Sequence, residues 1–164
     1  MTTKELLIHE LETEARATRE CLERVPAALY DYKPHEKSML MGYLALVTAE
    51  IPRWISSAVE EGTINFGTFK HADAKAGPEF VKEFDANLEG ARKALAAVSE
   101  DELANGRFEL KRGDQVLMSG TKLDTASSSI RHMVHHRGQL TVYLRLNDIA
   151  VPSIYGPSAD DRRF

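Results

Sequence analysis

Three of the chain's six histidines crowd into the pentapeptide His132-Met133-Val134-His135-His136. On a helix, residues four apart lie one turn above the other on one side, which stacks the rings of His132 and His136 along a single face. Two imidazoles at that spacing can grip one divalent ion, as the H-E-x-x-H zinc helix does. The glutamate of that motif is absent here, so a zinc-protease mechanism has no general base. Gln139 and Tyr143 continue the same face, placed to hydrogen-bond an imidazole or a metal-bound water. A catalytic zinc ordinarily takes three protein ligands plus water. Without a third donor, the plain reading is a pair of partly exposed surface histidines.

Two further residues carry chemical weight. Arg137 projects toward the apolar stripe of Ile130, Met133 and Leu144, and a buried guanidinium needs a partner. Asp160, Asp161 or a backbone carbonyl would serve. Cys21 is the only cysteine, so no internal disulfide forms and a reducing compartment fits. On a helix it reads as a small apolar residue rather than a reactive thiol.

The elements that must position these groups follow from periodicity. A first helix spans about 3–25, with Thr2 and Glu5 forming a capping box and Leu7, Leu11, Ala15, Thr18 and Leu22 on one face. A second spans about 39–61, with Ser38 as its cap, Pro52 inside it and Gly62 closing it. Residues 63–76 read as a loop. Gly77-Pro78 opens a third helix over 79–97, and Ser99 with Glu102 suggests a short capped turn. Phe108 and Leu110 against Val116 and Met118, about Gly113-Asp114, suggest a small hairpin, so the tripeptide Arg112-Gly113-Asp114 is simply its turn. The last helix, about 123–147, is apolar on more than one side, with Val142 and Leu146 off the main stripe. Such a helix is buried in a bundle or at a subunit contact. Ile154 and Tyr155 suggest that the turn-rich tail packs back. The expected fold is all-α, an antiparallel four-helix bundle with a small hairpin between its third and fourth helices.

Bulk properties narrow the function classes. At 164 residues the chain suits one domain, 1–164, with a core that needs no staples. The net charge of −4 argues against nucleic acid as a partner. No stretch approaches the ~20 apolar residues of a membrane span, and the start lacks a signal-peptide core, so a cytoplasmic location without membrane attachment is expected.

The segment HMVHHRGQLTVYLRLNDIAVPSIYGPSAD (residues 132–160) and the stretch LERVPAALYDYKPHEKSMLMGYLALVTAEIPRW (residues 22–54) resemble the DinB/YfiT-like family. The resemblance implies a four-helix bundle, commonly dimeric, holding a divalent metal by one histidine on the second helix and two on the last. Relatives include enzymes that use low-molecular-weight thiols. The two late histidines carry over to His132 and His136, but the second-helix position falls on Val47, which offers no lone pair. Glu50, less than a turn away, is the substitute candidate; His9 and His35 are more remote ones. The leading expectation is therefore a metal-dependent enzyme of the thiol-transferase or hydrolase type acting on a small-molecule substrate. Its degenerate site would hold zinc, nickel or iron weakly or substoichiometrically. The alternative is a metal-free, non-catalytic dimeric binding or stress-associated module.

Overall fold

In the computed structural model, which describes residues 1–163, four long helices form the body. These are α1 (Thr3–Glu23), α2 (Met41–Glu61), α3 (Gly77–Ala97) and α5 (Lys122–Leu146). A 3-10 turn (Ala27–Leu29), a short helix, α4 (Glu100–Asn105), and strands β1 (Thr63–Asn65), β2 (Arg107–Arg112) and β3 (Gln115–Thr121) complete it. Helix α2 packs on α3 and α5, and α1 packs on the same two, so α1 and α2 stand at opposite corners of the bundle.

Local sequence accounts for most boundaries. The Thr2 hydroxyl accepts from Glu5 N and the Glu5 carboxylate accepts from Thr2 N, completing the expected capping box. Gly62 ends α2 at φ 67°, a left-handed position that suits glycine. Ser99 accepts from Glu102 N and starts α4. Ser38, however, does not cap α2. The N-cap is Leu40, without a side-chain bond, and the entry is held instead by Met41 N donating to Tyr32 O and Gly42 N to Tyr30 O.

The hairpin forms as expected, with Leu110 opposite Met118, and a third strand joins it from the 63–76 segment expected to be loop. Strand β1 runs parallel to β2 and lies at one edge of the order β1-β2-β3. Three residues are too few to show alternation, so β1 exists only because β2 offers an edge. Ile64 and Phe108 join Ala58 in a small second core beneath this sheet. The main core runs through all four long helices, from Leu11 and Leu22 through Leu44 and Ile51 to Phe80, Phe84 and Leu144. No helix among the described residues is long and apolar enough to cross a membrane.

Arg137 is buried in α5, 1% exposed. Its partner is neither Asp160 nor Asp161 but Glu14 of α1, at 2.6 Å, with the Glu14 carbonyl and the Thr18 hydroxyl also accepting from Nη1. Nη2 donates to the Tyr155 hydroxyl at 2.7 Å, and that hydroxyl donates in turn to Glu14. Asp160 instead pairs with Arg145 and accepts from Val151 N, and Asp161 pairs with Arg163 and accepts from Ser153 N. The tail does pack back, as its two apolar residues suggested, with Ile154 on the core and Tyr155 latched through its hydroxyl.

Candidate functional site

Helix α5 brings His132 and His136 together as the spacing requires, with ring centroids 4.4 Å apart. Both rings line a cavity of about 390 Å³ between α2, α5, the 66–71 segment and the tip of the hairpin. Val47 of α2 lines the same cavity as the histidine pair. The other walls are aromatic: Tyr43 and Trp54 from α2, Phe66 and Phe69 from the segment after β1. Trp54 stands edge-on to His132 (5.4 Å), to Phe66 (5.9 Å) and to Phe69 (6.4 Å). Its indole Nε1 is buried and has no hydrogen-bond partner among the described residues.

A third imidazole completes the cavity, and periodicity gave no hint of it. His71 sits in an irregular segment, with no neighbouring histidine or helical spacing to mark it. It is drawn in by Glu50, whose carboxylate is 1% exposed on α2. One Glu50 oxygen lies 2.6 Å from His71 Nδ1, and the other accepts from Ala72 N at 2.7 Å. A buried carboxylate must be paired and hydrogen-bonded; both of its oxygens are committed to anchoring this segment.

These contacts fix the chemistry of the rings. A carboxylate only accepts, so Nδ1 of His71 carries a proton and donates it to Glu50. The same reasoning applies to His136, whose Nδ1 lies 2.7 Å from the Gln139 amide oxygen. Gln139 thus plays the hydrogen-bonding part its spacing suggested, whereas Tyr143 donates to Met39 O instead. Burial pushes the His132 ring below its ordinary value of 6.5, and the nearby His136 and His135 push it the same way. Burial also lowers His136, outweighing the Gln139 bond. Both shifts favour the neutral ring.

The donor set does not close around a metal. Among the described residues no group of three or more His, Cys, Asp or Glu side chains could hold an ion. Val47 contributes no donor, Glu50 is turned to His71 and Ala72, and His71 does not close a three-donor group with the histidine pair. His9 lines a different, larger groove of about 550 Å³ between α1 and α5, and His35 Nδ1 accepts from Lys37 N. The expectation of a divalent zinc, nickel or iron centre is therefore corrected. With it falls the metal-dependent thiol-transferase or hydrolase reading, in which the metal was to activate a low-molecular-weight thiol or a water. Cys21 does not replace it: the thiol is buried and pushed up to about 11, chiefly by desolvation.

The model of the DinB family matches residues 1–163. Two solved structures share the fold. A DinB-like protein from Bacillus subtilis, YjoA, superposes with a TM-score of 0.70 at 19% identity, over 96% of this chain and 99% of that one. A DinB-like protein from Bacillus cereus ATCC 10987 gives 0.69 at 19% identity, over 92% and 97%. The uncharacterized protein YrdA of Bacillus subtilis is 50% identical over 32 residues, a stretch that spans 20% of this chain and 19% of YrdA. With its four long helices, its histidine pair on the last of them and a family match over residues 1–163, the chain belongs to the DinB family.

Proposed function

We propose that this protein is a metal-free binding module, a single domain over residues 1–164 that takes a small organic molecule in the histidine-lined cavity. The observation that carries the reading is the cavity's composition: imidazoles and aromatic rings converge on about 390 Å³, with no donor set for a metal among the described residues. That volume lies in the range of small-molecule sites, which are mostly apolar with a few placed polar groups. The larger α1–α5 groove has a less specific lining, with His9 its lone imidazole beside Glu10 and Arg131.

A homodimer is part of the proposal. Val142 and Leu146 of α5 are 55% and 57% exposed, an apolar strip on the outer face of a helix whose other side is already in the core. A cytoplasmic location is supported by the single unpaired, buried cysteine, and the acidic balance supports a partner other than nucleic acid.

The test is a thermal-shift screen of small organic compounds on the wild type and on Val47→Phe, which places a larger side chain in the cavity. Compounds that raise the wild-type melting temperature should lose their effect in the variant. Equal shifts in both proteins, or no hit from a chemically broad set, would refute cavity binding. Light scattering across the micromolar range should report twice the chain mass, and a monomer throughout would remove the dimer.

A further inference from the structure

The cavity's polar groups are asymmetric, and their arrangement selects a ligand. At one end Arg112, from the hairpin tip, lines the cavity. That tip is held in place: Asn65 of β1 accepts from Gly113 N through Oδ1 at 2.9 Å and donates to Gly113 O through Nδ2 at 3.1 Å. A second guanidinium, Arg53, lies 4.7 Å from the centre of the Phe69 ring, behind the aromatic wall. The carboxylate bonded to the cavity's His71, that of Glu50, has both oxygens committed to His71 and Ala72. The electrostatic balance therefore favours an anion and disfavours a cation, even though aromatic walls alone would suit either.

The imidazoles ask for something else. His136 uses Nδ1 within the protein, which leaves its Nε2 lone pair as a hydrogen-bond acceptor. An all-acceptor group such as a second carboxylate would leave that lone pair unmatched, whereas a hydroxyl donates to it. Between the two ends, Tyr43, Trp54, Phe66 and Phe69 present ring faces and edges, which suit a flat aromatic body.

We propose, resting on the reading of this cavity as a binding site, that it takes a small aromatic acid. The carboxylate would meet Arg112, the ring would pack among the aromatic side chains, and a hydroxyl would donate to the imidazole Nε2 of His136.

Trp54, the only tryptophan, supplies a built-in reporter. Fluorescence and calorimetric titrations would use 4-hydroxybenzoate, 4-hydroxybenzamide, 4-methoxybenzoate and benzyltrimethylammonium. The hydroxy acid should quench Trp54 and bind best. The amide, which lacks the charge, and the methoxy acid, which lacks the donor, should each bind about tenfold more weakly, as expected for losing one charge-assisted or one well-matched hydrogen bond. Arg112→Gln, at an exposed position that leaves the core intact, should abolish the difference between hydroxy acid and amide. His136→Phe should abolish the difference between hydroxy and methoxy acids, and a difference that survives in this variant would overturn the acceptor assignment. Binding of the amide or the ammonium compound as tightly as the acid would overturn the ligand class while leaving the site standing. Silence from all four compounds, by both heat and fluorescence, would overturn the binding site itself.

Discussion

Replacing Arg137 with methionine tests how α1, α5 and the tail are tied together. The guanidinium is 1% exposed and serves the Glu14 carboxylate, the Glu14 carbonyl, the Thr18 hydroxyl and the Tyr155 hydroxyl at once. Methionine fills much of the same volume, so packing loss is small and the electrostatic consequence dominates. Breaking a buried pair by removing one partner typically costs about 3–5 kcal/mol, because the other charge is left uncompensated. The Glu14 side chain retains 16% exposure, so water relieves part of that penalty and the lower figure, about 3 kcal/mol, applies. For a domain of this size that corresponds to a fall in melting temperature of roughly 6–12 °C. Urea denaturation followed by circular dichroism would measure it. Adding Glu14→Gln to Arg137→Met should recover part of the loss, since the orphaned charge is gone. Arg137→Lys should not recover it, because one ammonium cannot span Glu14 and Tyr155. A loss below about 1 kcal/mol for Arg137→Met would refute the reasoning and make the network incidental.

Four further outcomes are expected. Gly77→Ala should destabilise the fold by about 2 kcal/mol in the same assay, since a Cβ there would come within 2.1 Å of the Glu23 carbonyl oxygen, and no flexible side chain can yield. Cys21, whose thiol stays protonated far above neutral pH, should react with a thiol reagent such as dithionitrobenzoate only at the rate of unfolding, and prompt labelling of the native protein would contradict its burial. His132 and His136 titrate below the ordinary 6.5, so their unfolded forms bind protons first. Stability should be full above that value and decline as pH falls through the lowered folded values, and His132→Asn with His136→Asn should flatten the slope. Zinc titrated into the wild type and into His132→Ala should give the same weak uptake; a stoichiometric site lost in the variant would reinstate the metal.

The sequence alone determined the helices and the family. Leucines and alanines at helical spacing, the Thr2–Glu5 box, Gly62 and Ser99 place most boundaries because these signals act within a turn or two of chain. The four-residue spacing of His132 and His136 likewise dictates their approach, and Val47 shares their cavity as the resemblance implied. Tertiary structure decided the rest. Glu50 meets His71 across 21 residues and Arg137 meets Glu14 across 123, separations at which no local pattern marks the partner. Strand β1 borrows its edge from β2, and Gly77 is glycine because the end of α1 passes against it. The metal expectation failed for the same reason. Two ligands can be read from one helix, but whether a third donor is free depends on what the fold has already bonded it to, and here the fold gives Glu50 to His71 and Ala72.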